Sequence, residues 1–233
     1  MELNIRPIAH IETDLPDKFG VPRQCSLAQH LTGRIIFEEE YRNPEAVRGL
    51  DEYDYIWLIW EFDRAKGGRA WSPTVRPPRL GGNTHMGVFA TRSPFRPNHL
   101  GLSSVRLEKI EITSKYGPVI YVSGIDMSDQ TPIYDIKPYV PYSDCHPEAA
   151  SAFSSPGDAH ILQVEADEQV WKNFPDNKRE ALLEVLSLDP RPSYHNDPQR
   201  SYGMSFAGYE VHFKVKENVL TVEQINHRKN EIT

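Results

Sequence analysis

The chain has 233 residues, the length of one large domain or of one domain with a small second one. It is 39% hydrophobic and 25% charged, an ordinary globular composition that excludes wholesale disorder. The formal net charge of −7 excludes a uniformly basic protein. Two cysteines are too few for a disulfide framework, and such a low cysteine count is typical of a cytoplasmic protein. We find no apolar run of the roughly 18 residues that a membrane helix needs, and no signal-peptide pattern at the amino terminus.

The first two-thirds of the chain is predicted to be mostly β-strand. Alternating or β-branched segments predict strands at 3–12, 34–38, 54–62, 86–90, 102–113 and 119–125. The segment 54–62 is apolar at odd and even positions alike, which is typical of a strand buried on both faces. The last two segments flank a Gly-Pro turn and so predict a hairpin. Residues 43–49 predict a short helix, with Asn before it, Pro in its first turn and Gly at its end.

The composition changes near residue 145. Residues 145–158 are rich in His, Pro, Ala and Ser, which is typical of a linker. Beyond it, 176–188 has apolar residues at helical spacing, and 211–216 with 219–225 predict a second hairpin. The sequence therefore predicts a mainly β domain over 1–145 and a small α+β domain over 146–233.

One stretch of 43 residues, from Arg64 to Arg106, holds eight Lys or Arg residues and no Asp or Glu. In an acidic chain such a stretch predicts a local anion-binding site. It also contains loop sequences, GGN at 81–83 and RSPFRPN at 92–98, which differ from a charged helix surface. A solvated basic face without a ligand is the alternative.

Several familiar site motifs are absent from the sequence. It has neither the phosphate-binding glycine loops nor the nucleophile elbow of the hydrolases. Its nine histidines show neither H-x-x-x-H nor C-x-x-C neighbours, so no metal site is predicted. A thiol enzyme using Cys25 or the pair Cys145 and His146 is an alternative, although adjacent residues of a strand point to opposite faces.

Polar residues cluster at predicted loops and strand ends, where binding residues concentrate. The clusters are residues 22–24, 61–64, 91–98 and 129–142. Their Arg, Asp, Thr, Lys and Tyr side chains supply the donors and acceptors that a polar cofactor requires. The residues alone predict a β protein that binds a polar ligand, and a non-catalytic RNA- or nucleotide-binding module explains them equally well.

Four segments carry a resemblance to a known family. They are VPRQ at 21–24, NPEAVRGL at 43–50, GVFATRSPFRPN at 87–98 and DIKPY at 135–139. They closely resemble the TsaA-like family, called TrmO in bacteria, in order from about residue 3 to 145, and LDPRPSY at 188–194 resembles the tail of the bacterial form. The resemblance implies a homodimer with a single-sheet β-barrel fold. It also implies an S-adenosylmethionine-dependent methyltransferase that acts on N6 of N6-threonylcarbamoyladenosine, immediately 3′ of the anticodon in threonine tRNA.

The family's cofactor-binding positions carry over to this sequence residue by residue. They fall on Pro22, Arg23, Gln24, Phe62, Asp63, Arg92, Leu102, Asp129, Gln130, Thr131 and Pro132. Two departures stand beside them. Many relatives have Gly in place of Gln130, which makes a positive φ less favourable here, and Pro-Ile in place of His99 and Leu100.

Residue chemistry suggests the catalytic roles, which the resemblance does not assign. The N6 atom of the modified base bears a carbonyl, so it is a poor nucleophile and a proton acceptor helps it react. Asp135 is the candidate acceptor, with Lys137 and Tyr139 orienting the carbonyl or carboxylate of the substrate. Arg92 and Arg96 are alternative partners of that carboxylate. None of these roles requires a metal.

RNA binding is predicted in two regions. The acid-free stretch supplies Arg69, Arg76 and Arg96 for phosphates, and the aromatic rings of Phe95, Tyr139 and Tyr142 are candidates for stacking on an extruded base. In the tail, the predicted RNA-binding residues are Arg191, Tyr194 and Arg200. A tail that simply packs on the dimer is the alternative for this second cluster.

Overall fold

A computed structural model describes residues 3–62, 71–77, 80, 83–150, 161–192 and 197–228. The strands are β1 Ala9–Thr13, β2 Thr32–Phe37, β3 Tyr55–Glu61, β4 Thr74–Val75, β5 Met86–Gly87, β6 Leu100–Thr113, β7 Gly117–Ser123, β8 Thr131–Pro138, β9 Gln163–Ala166, β10 Ser201–Phe206, β11 Tyr209–Lys216 and β12 Val219–His227. The α-helices are α1 Pro141–Asp144 and α2 Asp176–Ser187. No helix in these ranges has the length and hydropathy to cross a membrane.

Six strands close into a barrel in the order β1-β2-β7-β6-β3-β8. β3 runs antiparallel to both β6 and β8, and β1 pairs with β8 with Ala9 opposite Ile133. Alternate side chains of these strands point inward and form a core that includes Ile11, Ile35, Ile56, Leu58, Val105, Ile120 and Ile133. The predicted single-sheet β-barrel is confirmed.

The prediction that the segment 54–62 is buried on both faces is wrong. Ile56, Leu58 and Trp60 are buried inside the barrel, whereas Trp57 and Ile59 are half-buried on its outer side. Successive residues of a strand point to opposite faces, and a closed barrel buries only the inner one. The apolar outer face of β3 thus has no layer of chain covering it completely in the described structure.

The polar cluster at 129–142, predicted as loop or strand end, contains the strand β8. The pairing with β3 shifts between Ile59, opposite Asp135, and Trp60, opposite Ile133. Tyr134 is therefore the extra residue of a β-bulge, and a bulge re-aims the side chains beside it. Ile133 points inward while Tyr134 and Asp135 both reach the outer side, where Tyr134 bonds to Glu61.

Three local predictions come out with adjusted bounds. The helical segment 43–49 is a 3-10 turn, Pro44–Val47, whose preceding Asn43 accepts a side-chain hydrogen bond from the amide of Glu45 at 3.0 Å. The predicted strand 86–90 ends at Gly87 and continues as a 3-10 turn, Val88–Ala90. The hairpin of β6 and β7 is confirmed: residues 114–116 form the turn, and β7 begins at Gly117, which has a φ of +63°.

The described chain divides into two compact units. One consists of residues 1–11, 34–122 and 131–158, and the other of 12–33, 123–130 and 159–233. These units interleave along the chain, whereas the predicted domains are consecutive segments. The predicted boundary near residue 145 stays a prediction.

The second unit contains an α+β arrangement, as predicted for the tail. Its sheet has the order β10-β11-β12-β9, with β9 parallel to β12. Helix α2 buries its apolar side chains, Ala181, Leu182, Val185 and Leu186. The segment 12–33 belongs to this unit: the ring of Phe19 stacks on that of Phe213 at 6.5 Å, and the carboxylate of Asp14 lies 2.5 Å from the Lys178 ammonium. Residues far apart in sequence therefore share one core.

Candidate active site

Asp135 and Lys137 form an ion pair on the outer face of the barrel, where β8 lies beside β3. The Lys137 Nζ atom lies 2.8 Å from Asp135 Oδ2, and Asp135 Oδ1 accepts a hydrogen bond from the amide of Ile136 at 2.9 Å. Asp135 lies opposite Ile59. Both charged side chains keep substantial exposure. The pair presents a carboxylate, already held at two oxygens, to a ligand on this face.

Tyr139 lies farther along the same face, at the end of β8. Its ring contacts those of Trp57 at 5.7 Å and Tyr55 at 6.2 Å. Burial, the Cys145 thiol and the nearby Asp144 carboxylate all raise the pKa of the Tyr139 phenol. At about 3.3 Å per residue, Tyr139 is roughly 13 Å along the strand from Asp135. The three predicted catalytic residues therefore form a strip, not one compact cluster.

Asp144 fixes the distal end of this strip. Its Oδ2 atom accepts hydrogen bonds from the indole nitrogen of Trp57 at 2.7 Å and from the amide of Val140 at 2.9 Å. These donors favour the ionised carboxylate, and the Val140 amide contributes most to lowering the pKa of Asp144. Neither Trp57 nor Asp144 is predicted as a site residue from the sequence. Because both odd and even positions of β3 are apolar, the sequence gives no sign that the Trp57 indole faces outward.

The predicted cofactor residues of the first unit lie at the other end of these strands. Phe62 follows β3, with its ring 4.3 Å from that of Trp60, and its amide donates to the carbonyl of His99 at 2.8 Å. Leu102 lies opposite Ile59 on the outer face and is 55% exposed. Thr131 and Pro132 begin β8, opposite Ile11 and His10. Asp63 lies outside the described residues.

The loop between the 3-10 turn at 88–90 and β6 is braced by its own hydrogen bonds. Arg96 Nη1 donates to the carbonyl of Thr91 at 3.1 Å, and His99 Nδ1 donates to that of Pro94 at 2.7 Å. The amide of Phe95 donates to Ser93 Oγ at 3.2 Å. These bonds hold the exposed Arg92 at the start of a defined loop. His99 thus braces this loop.

The remaining predicted cofactor residues lie in the second unit, on two segments that are hydrogen-bonded together. Pro22 is buried, Gln24 half-buried and Arg23 exposed. Just after them, the amide of Ser26 donates to the carbonyl of Gly124 at 2.7 Å. The backbone bond therefore fixes the end of the Pro-Arg-Gln loop against the chain that leads to Asp129.

Asp129 and Gln130 have a defined backbone. Asp129 donates its amide to the carbonyl of Leu15 at 2.7 Å and accepts the amide of Thr13 on Oδ1 at 2.9 Å. Gln130 has a φ of +62°, the left-handed region that glycine adopts without penalty. The chain therefore keeps this conformation with a side chain in place, at a cost in backbone strain.

The predicted RNA-binding residues differ in availability. Arg76 is exposed and donates from Nε to His85 Nε2 at 3.0 Å, and Arg200 lies over the ring of Tyr202 at 5.3 Å. Arg191 is only 9% exposed and pairs with Asp189 through Nε at 2.8 Å and Nη2 at 2.9 Å. That pairing indicates a structural role for Arg191. Arg69 and Tyr194 lie outside the described residues.

A metal centre finds no support in the part of the chain that the structure describes. No group of three or more His, Cys, Asp or Glu side chains there is arranged to hold a metal ion. The described face instead offers one carboxylate–ammonium pair, aromatic rings and exposed arginines. Groups of this kind have the chemistry to hold an anionic organic ligand and to accept a proton.

Comparisons with known proteins match both parts of the chain. Residues 10–145 match the model of the tRNA-methyltransferase O N-terminal domain, and residues 160–228 match that of the TrmO C-terminal domain. The tRNA (adenine(37)-N6)-methyltransferase of Escherichia coli is 36% identical over 218 residues, covering 90% of this chain and 92% of that protein. A Pseudomonas aeruginosa protein with the provisional description S-adenosylmethionine-dependent methyltransferase RcsF is 37% identical over 224 residues, covering 91% of this chain and 93% of its own.

The structure is also similar to solved structures of this family. The crystal structure of TrmO from Pseudomonas aeruginosa superposes with a TM-score of 0.78 at 30% sequence identity, covering 97% of this chain and 100% of that one. Fold and sequence together define the class of β-barrel methyltransferases with a second, α+β domain. The chain belongs to the tRNA-methyltransferase O family.

Proposed function

We propose that this protein methylates N6 of an adenine in tRNA with S-adenosylmethionine as donor. The acceptor is N6-threonylcarbamoyladenosine, immediately 3′ of the anticodon in threonine tRNA. Family membership over both domains supports the reaction, and the names of the E. coli and P. aeruginosa relatives support the base and the donor. The observation that carries the chemistry is the Asp135–Lys137 pair at the bulge of β8.

The residues present suit S-adenosylmethionine, which supplies the methyl group as a sulfonium. In the first unit, the half-buried ring of Phe62 offers an aromatic surface to adenine, exposed Leu102 an apolar one, and exposed Arg92 a partner for the amino-acid carboxylate. In the second unit, exposed Arg23 and the Asp129 carboxylate have the chemistry for the carboxylate and ammonium groups. The other residues proposed to bind the cofactor are Pro22, Gln24 and Gln130 in the second unit and Thr131 and Pro132 in the first. Asp63 is proposed from the sequence resemblance alone.

Asp135 acts as the proton acceptor. As N6 forms its bond to the methyl carbon, the bond from sulfur to that carbon would break and its electron pair would stay on sulfur as a neutral thioether. The N6 proton would move to a carboxylate oxygen of Asp135, and the electron pair of the N–H bond would stay on nitrogen. Lys137 holds that carboxylate in place and faces the threonyl carboxylate of the substrate with its exposed ammonium. Tyr139, with a raised phenol pKa, stays protonated at neutral pH and acts as a hydrogen-bond donor or a stacking surface.

A homodimer is also proposed, because the resemblance to the family implies one. Modification of tRNA by a protein of this composition also favours the cytoplasm as its location.

The test is methyl transfer from labelled S-adenosylmethionine to tRNA carrying the threonylcarbamoyl group. Wild type transfers label, whereas Asp135→Asn, which keeps the shape of the side chain, lowers kcat by roughly 100-fold or more because it removes the proton acceptor. Calorimetry is expected to show unchanged S-adenosylmethionine affinity in this variant. Full kcat in Asp135→Asn would refute the assigned role, and binding of tRNA with no methyl transfer by wild type would favour the non-catalytic module.

A further inference from the structure

Two aromatic rings lie exposed at the open end of the hairpin formed by β4 and β5. Thr74 pairs with Gly87, and the amide of Val88 donates to the carbonyl of Pro73 at 2.9 Å. Beyond that bond, Trp71 is 50% exposed and Phe89 is 73% exposed. Large aromatic surfaces are usually buried, so two of them at one end of a small hairpin indicate a partner.

Arginines lie on the same hairpin and on the loop that follows it. Arg76, at the loop end of the hairpin, donates its Nε to His85 Nε2 at 3.0 Å. This bond orients the guanidinium through its inner edge, and the outer edge with two Nη atoms is the one that binds phosphate bidentately. At the open end, Arg96 is anchored to the carbonyl of Thr91, whose amide in turn donates to the carbonyl of Val88.

The charge pattern selects the partner. The sequence has no Asp or Glu between Asp63 and Glu108, so no carboxylate of this stretch offsets the arginines. A symmetric dimer with this patch on its two-fold axis would bring like charges together. A single-stranded nucleic acid has groups that bind both the exposed rings and the arginines, because every base has a face for stacking and every linkage has a phosphate.

We propose that Trp71 and Phe89 stack on unpaired bases of the tRNA anticodon loop, with Arg76, held by His85, binding a phosphate farther along the same RNA strand. The inference rests on the proposed function for the identity of the RNA. It adds a stacking role for two residues that lie away from the Asp135–Lys137 pair. The hairpin thereby recognises the unpaired state of the loop, since rings stack on bases that are not stacked on each other.

The experiment measures the affinity of the full-length protein for an anticodon stem-loop RNA at several salt concentrations, without S-adenosylmethionine. Trp71→Ala and Phe89→Ala are each expected to weaken binding by roughly five- to a hundred-fold. Phe89→Tyr keeps the ring and retains affinity within about twofold, whereas Phe89→Leu keeps only apolar area and behaves like Phe89→Ala. Ile112→Ala, at an exposed apolar position of β6 outside the acid-free stretch, is the matched control with no change.

The salt dependence separates stacking from charge. The aromatic variants keep the wild-type slope of log affinity against log salt, whereas Arg76→Ala reduces its magnitude by about one. Unchanged RNA affinity in both alanine variants, or full recovery by Phe89→Leu, would overturn the proposal. A change in sedimentation with unchanged RNA affinity would also overturn it and assign the face to a second copy.

The same measurements separate this inference from the proposed function. Affinity for RNA is read without the methyl donor, so loss of binding in the aromatic variants supports stacking even if wild type transfers no methyl group. If the Trp71→Ala and Phe89→Ala variants bind RNA as tightly as wild type and transfer methyl normally, the stacking inference is refuted and the proposed function is not.

Discussion

The amide of Ser26 donates to the carbonyl of Gly124 at 2.7 Å, and both residues have a positive φ, +64° and +70°. The bond joins the end of the Pro22–Gln24 loop to the segment that leads to Asp129 and Gln130. A Cβ atom added at Gly124 would lie 3.3 Å from the Cα atom of Ser26. Two stretches of the proposed cofactor site, a hundred residues apart in sequence, thus depend on one close backbone approach.

Gly124→Ala is therefore expected to lower both stability and S-adenosylmethionine affinity. The left-handed conformation alone costs a residue with a side chain about 1–2 kcal/mol. Gly208→Ala is the matched control, because Gly208 has a φ of +82° and nothing within 4 Å of an added Cβ. In urea unfolding Gly124→Ala should lose more stability than the control, and only Gly124→Ala should weaken cofactor binding in calorimetry. Equal losses in the two variants would show that the contact with Ser26 is unimportant.

Gln130 offers a complementary test of backbone strain. With a φ of +62°, Gln130→Gly is expected to raise the free energy of unfolding by up to about 1 kcal/mol, and Gln130→Val to lower it by about 1–2 kcal/mol because a β-branched residue fits this region worst. Chemical unfolding at neutral pH measures both. Wild-type stability in Gln130→Val would mean that the turn relaxes without cost.

Arg191→Ala is expected to act on folding more than on RNA. It removes a two-bond ion pair with Asp189 and leaves that carboxylate, which is largely buried, without its guanidinium. Charged hydrogen bonds of this kind contribute about 1.5–3 kcal/mol each, so a loss of about 2 kcal/mol in thermal or urea unfolding is expected. Arg200→Ala, at an exposed position, should change stability little. Wild-type stability together with weakened tRNA binding in Arg191→Ala would restore the RNA-binding role.

A pH dependence is expected from His30 and Glu184. His30 Nδ1 lies 2.7 Å from Glu184 Oε1, and the hydrogen bond, with the carboxylate charge, raises the pKa of the imidazole. Because the folded pKa lies above the unfolded one, the pair stabilises the fold fully below the unfolded pKa, near 6.5, and loses this contribution as the pH rises through the folded value.

The comparison is between wild type and His30→Gln, by urea unfolding at pH 5.5 and pH 8.5. Since the imidazole is exposed, the advantage of wild type at the lower pH is expected to be small, up to about 1 kcal/mol. It should shrink at the higher pH. An advantage that grows with pH would contradict the assignment of the proton to His30.

The sequence predicts a strand or a helix well where its apolar residues follow a single spacing. The hairpin of β6 and β7 and helix α2 follow directly from alternation and helical spacing. The bulge at Tyr134 could not be predicted, because nothing in the residues TPIYDIKP marks where one strand gains a residue over its neighbour. Without the bulge, strict alternation would place Asp135 on the inside of the barrel.

Pairing between distant segments also limited the site prediction. The family motifs identify Pro22–Gln24, Phe62 and Asp129 as residues of interest. The Phe62–His99 bond depends on the pairing of β3 with β6, and the Ser26–Gly124 bond joins two segments that meet only after folding. Arg191 shows the converse. A basic residue in a tail looks available in the sequence, and only the structure shows that Asp189 already binds it.

The most direct test of the account is mass spectrometry of tRNA nucleosides after incubation with the purified protein and S-adenosylmethionine. Threonine tRNA carrying the threonylcarbamoyl group is compared with the same tRNA lacking it, and wild type with Asp135→Asn. The account predicts one added methyl group on N6-threonylcarbamoyladenosine with wild type only, and none on the unmodified adenosine. Methylation of the unmodified tRNA, or no methyl gain on either tRNA by a protein that binds S-adenosylmethionine, would contradict it.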